Sequence, residues 1–539
     1  MLERLQRRLG LQTIPGVFFT SAGIAVLFVA LAIVFDRVVA ESFGLLTGWV
    51  ARNLGWFYIL AVSALLIFLL GLAVSRYGSI RLGADDSRPD YSNLTWFTML
   101  FAAGIGTILM FWGVAEPISH FNKPPFEGVQ SGSEQAASDA ITIALYHFGL
   151  HTWTIFALPG LAIGYFAYRH NLPMRISSVF YPILGERAFG PWGWAVDVIA
   201  VLGTLFGVAT SLGLGILQLN SGLNYLFDVP STGLVQVILI AVITGIAATS
   251  VALGLDKGVR RLSQINILLA MALLAFVLIV GPTLFIAEGI VQSIGNYLDA
   301  LPRLAFWTET FKDTDWQRQW TLFYWAWTIS WAPYIGIFIA RISRGRTIRE
   351  FVAGVLFAPT AFTLVWFGIF GLSAIQVEMD GQIALAEQVQ QDPSVAIFAF
   401  LEALPLSGVA SALSVIIIVI FFTTSSDSAS LVIDMLTRRD DQPSLVRQRI
   451  FWAVAQGTIA ATLLLVGGLD ALQNVITSLG LPFCILLIFM AVALFRALQA
   501  DYRGYSMNEL VQGKAFPEVE AISETKQEKD HVSEAVDRN

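Results

Sequence analysis

Residues 325–336 read WAWTISWAPYIG, an apolar stretch that holds three tryptophans and is interrupted by a proline and a glycine. It belongs to a predicted membrane span over residues 319–341. Trp331 lies ten residues before Arg341, which is about 15 Å along a helix and therefore near the middle of a hydrocarbon core about 30 Å thick. Tryptophan in membrane proteins is typical of the water interface. Indoles at mid-membrane depth therefore need another explanation.

The whole chain has the composition of a helical membrane protein. Its 539 residues are 56% hydrophobic and 13% charged, and apolar runs of about 20 residues, enough to cross a bilayer, recur from end to end. The sequence has no basic patch that would indicate nucleic-acid binding. It also has neither a mid-membrane nucleophile nor a set of metal ligands, which a membrane-embedded enzyme would need. The predicted spans are 16–36, 56–76, 95–115, 142–168, 193–225, 231–253, 263–288, 319–341, 350–374, 405–434, 448–467 and 475–495, with a short surface helix at 291–304.

The distribution of basic residues predicts the orientation. If the N-terminus lies inside, 26 of the 32 Lys and Arg residues fall on its side of the membrane and six fall on the other side. An excess of positive charge is typical of cytoplasmic loops. The pattern predicts a multi-pass protein with both termini cytoplasmic, and the membrane is expected to be a bacterial inner (plasma) membrane. Acidic residues, Glu116 among them, are expected in the outer loops, for solubility or for weak attraction of cations.

An aromatic stripe is the first candidate for a binding site. Tyr324, Trp327 and Trp331 are spaced i, i+3, i+7 and share one helical face, whereas Trp325 is expected to point elsewhere, toward lipid. Aromatic faces suit a bulky cation without hydrogen-bonding groups, such as a quaternary ammonium, and each desolvated contact contributes about 2 kcal/mol. An aromatic helix-packing seam is the alternative interpretation, and the stripe alone does not decide between the two.

Two further spans have compositions that suit a cation. Four small residues, at positions 102, 103, 104 and 106, lie at the centre of the span over 95–115, where an unwound backbone could present carbonyls to Na⁺ or two helices could pack closely. Residues 421–430 read FFTTSSDSAS, and hydroxyl oxygens suit a hard cation but also bond to helix carbonyls. Asp427 in this stretch is either functional or a pin between helices.

The histidines and the single cysteine give weaker signals. His147 and His151 are four residues apart, a spacing that could ligate a metal, although helix packing or a hydrogen bond is the other interpretation. Because Cys484 is the single cysteine, the chain cannot form an intrachain disulfide. Cys484 is expected to be a small core residue.

Three motifs resemble the signatures of a known family. They are MFWGVAEP at 110–117, ISWAPYIGIFIARISRGRTIREF at 329–351 and TSSDSAS at 424–430. They resemble the betaine/choline/carnitine transporter family, and the similarity covers nearly all of residues 15–500. The resemblance implies secondary active transport of onium solutes by alternating access, no enzymatic activity and a homotrimer in the lipid bilayer.

The resemblance also implies an architecture. It is an all-α polytopic membrane protein of twelve transmembrane helices, with the sodium-symporter-like (LeuT-like) inverted 5+5 repeat and two extra N-terminal helices. The corresponding divisions are a cytoplasmic N-terminus with two flanking spans (1–94), a first repeat (95–290), an outer surface helix and loop (291–318), a second repeat (319–497) and a cytoplasmic tail (498–539).

The resemblance implies roles for the residues that stand at the positions of the family motifs. Trp327 and Trp331 would form one wall of a substrate cage. Phe148, Trp153 and Phe156 would form the other, and Tyr324 joins the cage through the stripe. A Na⁺ site, with Na⁺ as the coupling ion and no organic cofactor, would use the residues Ala102, Ile105, Phe421, Thr424 and Ser425.

Departures from the family pattern narrow the range of candidate substrates. Phe148 and Phe156 stand where betaine carriers often have Trp and Tyr, so the polar tips of those rings are lost. Ile108 stands where relatives have a glycine and where choline-type members can carry an acid. A betaine-like onium, glycine betaine or dimethylsulfoniopropionate, is therefore favoured, with proton-coupled choline or carnitine transport as the alternative.

Overall fold

The computed structural model describes residues 1–104, 107–253, 256–312, 314–439 and 443–512, of which 101–104, 107 and 256–260 are described by their backbone alone. Its α-helices are α1 (Leu2–Leu9), α2 (Pro15–Val34), α3 (Asp36–Val74), α4 (Asn93–Gly104), α5 (Thr107–Asn122), α6 (Glu134–Phe148), α7 (Leu150–His170), α8 (Tyr181–Leu184), α9 (Pro191–Phe227), α10 (Gly233–Leu253), α11 (Asp256–Val280), α12 (Thr283–Leu304), α13 (Phe323–Ile342), α14 (Ile348–Met379), α15 (Leu385–Gln391), α16 (Ala396–Glu402), α17 (Ser407–Thr437), α18 (Val446–Tyr502) and α19 (Met507–Val511). A π-helical turn, Arg318–Leu322, leads into α13.

The fold is that of an all-helical, multi-span membrane protein. Ten helical stretches of the described chain are long and apolar enough to cross a membrane. Two isolated bridges, Thr13 with Arg438 and Arg81 with Thr347, are the only β pairings in the described ranges. The predicted span over 95–115 is covered by α4 and α5, of 12 and 16 residues; residues 105 and 106 lie between them, outside the described residues, and neither described part is long enough to be counted among the ten.

Helix α18 covers two predicted spans. Its 57 residues would reach about 86 Å if straight, far beyond a hydrocarbon core of about 30 Å. Gly467 and Gly468 break it, and Gly468 has φ 57° and ψ −133°, a conformation open to glycine because it lacks a Cβ. The predicted end at residue 467 therefore coincides with a real change of direction.

Two predicted boundaries differ from the structure. The span predicted over 263–288 ends at Val280, and α12 begins at Thr283, so the predicted surface helix at 291–304 is the second half of a 22-residue helix. The break falls at Gly281 and Pro282, because proline lacks the amide hydrogen of a helix interior and disfavours helical geometry before it. The predicted span extends across this break because glycine and proline lower the mean hydropathy of the segment too little to end it.

Helices α7 and α13 pack side by side and run in the same direction. Near their N-terminal ends the rings of His151 and Trp325 are stacked 5.7 Å apart. Further along, a Cβ on Gly336 would lie 2.9 Å from Pro159, and a Cβ on Gly164 would lie 3.7 Å from the Cα of Ala340. Small residues thus allow the close approach of two helices that both carry predicted cage residues.

The loop between α13 and α14 holds the segment that precedes α4. Arg346 is 2% exposed; it donates to the Asn93 side chain (2.8 Å) and to the Tyr91 carbonyl (3.0 Å). Its guanidinium lies 3.9 Å from the centroid of the Trp96 ring. The RGRT part of the signature motif therefore fixes the start of α4.

Candidate functional site

The aromatic stripe of α13 faces the protein interior. Trp327 is 2% exposed, and its indole N–H donates to the Ser211 hydroxyl of α9 at 3.0 Å. Its ring stacks on Phe323, with centroids 5.3 Å apart and planes at 19°, and it lies 6.5 Å from the Tyr324 ring. The predicted location inside the protein, away from lipid, is confirmed for Trp327 and Tyr324.

Trp331 occupies a space that a glycine of α9 leaves open. A Cβ on Gly207 would lie 2.8 Å from the Trp331 ring. The Trp331 indole nitrogen is buried without a hydrogen-bond partner in the described part of the chain, although its side chain as a whole is half-buried. The ring packs at 75° against Tyr334, 5.5 Å away. The exposed part of this side chain is available to a ligand, whereas its N–H lies buried against Gly207.

The other predicted wall is only partly joined to the stripe. Phe148 contacts the Tyr324 ring at 4.9 Å. Trp153 and Phe156 are buried and pack on each other at 5.6 Å, and among the described residues no ring contact joins this pair to Trp327 or Trp331. Helices α7 and α13 run in the same direction and touch at His151–Trp325 and at Pro159–Gly336. Phe156 and Trp331 lie between these two contacts, so they are at the same level along the two helices.

The structure decides two further predictions about this region, one for Trp325 and one for the pair His147 and His151. Trp325 is fully buried; its ring stacks on His151 and lies 5.2 Å from the Tyr146 ring. The prediction that it faces lipid is wrong, because α7 covers that side of α13. His151 stacks on an indole while His147 bonds to Glu116, so the i, i+4 pair serves packing and hydrogen bonding rather than one metal.

The predicted ion ligands are described only in part. Ile105 lies outside the described residues, and Ala102 is described by its backbone alone. Phe421 and Thr424 are buried and Ser425 is half-buried. The Thr424 hydroxyl donates to the carbonyls of Ile420 (2.9 Å) and Phe421 (3.1 Å), which leaves its oxygen lone pairs free for a cation.

Asp427 pins helices together. Its carboxylate accepts from the Arg449 guanidinium of α18 at 3.2 Å and from the Ser250 hydroxyl of α10 at 3.4 Å. Of the two interpretations of this aspartate, these contacts support the structural one.

A buried polar cluster was missed by the sequence analysis. Glu116 is fully buried in α5, so its predicted place in an exposed outer loop is wrong: the helix continues to Asn122. One carboxylate oxygen lies 2.6 Å from His147 Nδ1 and 3.4 Å from His120 Nε2. The other His147 nitrogen lies 3.0 Å from the Thr321 hydroxyl. The i, i+4 spacing of Glu116 and His120 was the available signal.

A cavity of 790 Å³ opens beside this cluster. It lies at the end of the molecule that carries Lys123 and Arg318, and we call it the vestibule. Its walls are aromatic and polar, and they include Trp112, His120, Trp316, Trp320, Gln473 and Asn474. Trp112 and Trp320 both contact Tyr324, at 5.5 and 6.2 Å between ring centroids. One layer of rings therefore separates the vestibule from the stripe.

Comparison with known proteins identifies the family. The family model for BCCT, the betaine/carnitine/choline family transporters, matches residues 16–503. The ectoine/glycine betaine/proline transporter EctP of Corynebacterium glutamicum is 45% identical over 498 residues, which cover 91% of this chain and 81% of that protein. A glycine betaine transporter of Acinetobacter baylyi is 45% identical over 495 residues, covering 90% of this chain and 74% of the relative.

A choline carrier is similar to nearly the same degree. The high-affinity choline transport protein of Escherichia coli strain K12 is 42% identical over 501 residues, which cover 92% of this chain and 73% of that protein. All three relatives are transporters rather than enzymes, which agrees with the prediction from the sequence. The chain belongs to the BCCT family of betaine/carnitine/choline transporters.

Proposed function

We propose that this protein is a secondary active transporter that imports a betaine-like onium solute, glycine betaine or dimethylsulfoniopropionate, together with Na⁺. The observation that carries the proposal is the aromatic stripe of α13, which lies inside a transporter of this family. The Trp327 N–H is occupied by Ser211, so a ligand would contact the part of the π surface that Phe323 does not cover. A trimethylammonium group binds such surfaces without needing a hydrogen bond.

The proposed cage combines the stripe with residues of α6 and α7. Phe148, already in contact with Tyr324, would close one side, and Trp153 and Phe156 would approach Trp331 from α7 when substrate is bound. Relatives named for glycine betaine and for ectoine, glycine betaine and proline support a zwitterionic solute.

Na⁺ coupling rests on the chemistry of the α17 hydroxyl stretch. Carbonyl and hydroxyl oxygens without full charge suit a hard monovalent cation at a broken helix. The proposed ligands are Thr424, Ser425 and Phe421 with the carbonyls of Ala102 and Ile105. The proposal for the carbonyls rests on the four small residues at the centre of that span.

The second candidate is proton-coupled transport of choline or carnitine. It is favoured by the 42% identity to a choline transport protein. It is also favoured by a buried carboxylate beside two histidines near the vestibule, which is a set of groups that can hold a proton.

The proposed topology has twelve spans. The segment that comprises α4 and α5 would cross the membrane once, and the two parts of α18 would cross it twice. With the other helices this gives two LeuT-like inverted repeats of five, 95–290 and 319–497, after two flanking spans. We further propose a homotrimer in a bacterial inner membrane, with both termini cytoplasmic.

Uptake by proteoliposomes tests the function. Labelled glycine betaine, choline, carnitine and dimethylsulfoniopropionate would be offered with either Na⁺ or K⁺ outside. We expect Na⁺-dependent uptake of glycine betaine or dimethylsulfoniopropionate, and uptake that is equal in Na⁺ and K⁺ would contradict the coupling. Trp331→Leu should reduce uptake at least tenfold because it removes an indole of the cage. Trp192→Leu, at a position that is 67% exposed, is the matched control and should retain uptake.

A further inference from the structure

The Glu116 cluster places a carboxylate where a charge is costly. Glu116 is fully buried, as are both of its histidine partners. In the described part of the chain, no Lys or Arg makes an ion pair with it. Burial of a carboxylate without a cation or a proton is strongly unfavourable. The cluster can therefore balance the charge only through a proton on the carboxylate or on an imidazole, or through a bound metal ion.

The distances favour a proton over a metal. The 2.6 Å between His147 Nδ1 and a Glu116 oxygen is the length of a short charge-assisted hydrogen bond. Two ligands at about 2.05 Å from a tetrahedral zinc ion would lie about 3.3 Å apart. A metal ion would have to push these two atoms apart, whereas a shared proton fits them as they are.

The cluster reaches the vestibule through one residue. His120 lines the 790 Å³ cavity, and its Nε2 is buried without a hydrogen-bond partner among the described residues. Its ring lies 4.4 Å from Trp320 and 5.3 Å from Trp316, and such indole contacts stabilise a protonated imidazole. His120 is therefore the member of the cluster that lies between the vestibule and the Glu116–His147 pair.

The opposite side of the cluster faces the stripe. The His147 ring lies 4.9 Å from the Tyr324 ring, and its Nε2 pairs with Thr321. Thr321 lies in the π-helical turn Arg318–Leu322, immediately before α13. Such turns are rare and are frequently found at functional sites. The contact with Thr321 therefore joins His147 to the start of the helix that carries Trp327 and Trp331.

Few other charged or titratable groups face the cluster. Tyr146 and Tyr324 contact His147 from α6 and α13, and His151 lies beyond Tyr146 and Trp325. Helix α14 packs on α5 and α6, but its acidic residues lie at its ends, where Glu350 caps the helix and Glu378 bonds to the Ala386 amide. Of the charged residues that line the vestibule, Arg318 pairs with Asp315, and Lys123 and Asp470 are exposed. Lys312 pairs with Glu127, and Glu387 of α15 is exposed.

We propose that Glu116, His120 and His147 form a proton-binding site whose occupancy is linked to onium binding in the cage. The proposal rests on the proposed function in one respect, that an onium binds beside Tyr324. An onium and the bound proton are both positive and are separated by little more than one aromatic ring, so each weakens the binding of the other. Binding of an onium is therefore accompanied by proton release, and substrate affinity falls as the external pH falls.

Titration calorimetry of the purified full chain tests this linkage. Glycine betaine, choline and ectoine would each be titrated in phosphate and in Tris at the same pH, since protons released on binding change the heat according to the ionisation enthalpy of the buffer. We expect the wild-type heats to differ between the two buffers in the direction of proton release. Glu116→Gln should abolish this difference while binding remains within about tenfold of wild type. His151→Asn, one turn from His147 and outside the hydrogen-bonded cluster, is the matched control and should keep it.

The outcomes separate the two proposals. If none of the three solutes binds to the wild type, the proposed function fails before the proton site is tested. If a solute binds but the heats are equal in both buffers, or if Glu116→Gln keeps the difference, the proton site is overturned. Should Glu116→Gln fail to fold, His147→Gln is expected to reduce the difference by more than half, and an unchanged difference overturns the proposal. Binding that EDTA abolishes and Zn²⁺ restores would instead assign a metal site.

Discussion

At the scale of single residues, Gly207 determines where the Trp331 indole can lie. A Cβ at this position would meet the indole ring at 2.8 Å, closer than side-chain atoms pack. We expect Gly207→Ala to displace the indole and to reduce onium uptake at least tenfold, while the thermal stability of the protein changes little because helix propensity improves from glycine to alanine. Uptake by proteoliposomes together with a thermal unfolding curve measures both.

The control for this substitution is a glycine of α10. A Cβ at Gly245 would meet no atom within 4 Å, so Gly245→Ala tests the change in helix propensity without a steric effect. Equal uptake by the two variants would mean that the Trp331 ring can move without consequence, and the indole would then have no part in the cage.

The sequence predicted some residue positions and not others, for physical reasons. The spacing of Tyr324 and Trp327 was enough to place them on one face, and both are buried. Trp325 was expected to face lipid because helical periodicity tells which residues share a face but not which neighbour covers it. Glu116 was expected in a loop because a carboxylate lowers the apolar score of its window, although a buried acid with histidine partners is compatible with a helix.

At the scale of elements, the loop between α13 and α14 depends on a glycine in the left-handed region. Gly345 has φ +80°, and a Cβ there would lie 2.1 Å from the Arg88 carbonyl oxygen. We expect Gly345→Ala to lower the free energy of unfolding by about 3 kcal/mol or more, through backbone strain of about 1–2 kcal/mol and the displacement of the segment before α4. Denaturation in detergent, followed by circular dichroism, measures the change.

Gly381 provides the comparison for this loop. It also has a positive φ, +65°, but no atom lies within 4 Å of a Cβ at that position. Gly381→Ala should therefore show the backbone strain alone, about 1–2 kcal/mol. If Gly345→Ala and Gly381→Ala lower the free energy of unfolding equally, the contact with Arg88 is unimportant and the loop adapts.

Element boundaries were predictable where the chain changes its chemistry abruptly. The predicted end of a span at residue 467 coincides with the break of α18 at Gly467 and Gly468. The start of α3 at Asp36, 20 residues before the predicted span, did not follow, because a helix continues outside the apolar segment wherever its backbone groups remain bonded. The Arg346 contacts to Asn93 and Tyr91 also required the structure, since they join residues about 250 positions apart in sequence.

At the scale of the whole molecule, the class of protein was evident from composition, whereas the topology and the repeats remain predictions. Hydropathy reports each helix separately, and an inverted repeat is a relation between helices that composition does not encode. The orientation rests on the excess of Lys and Arg on one side. It can be tested because the chain contains a single cysteine, Cys484, which is buried.

Cysteine labelling of intact and opened cells measures the orientation. Thr310 and Ala84 are both exposed, and the predicted topology places them on opposite sides of the membrane. Thr310→Cys should react with a membrane-impermeant maleimide in intact cells, and Ala84→Cys should react only after the inner membrane is opened, because the reagent cannot cross the bilayer. The unsubstituted protein should remain unlabelled in both cases, since packing shields Cys484. Labelling of Ala84→Cys in intact cells would contradict the predicted orientation.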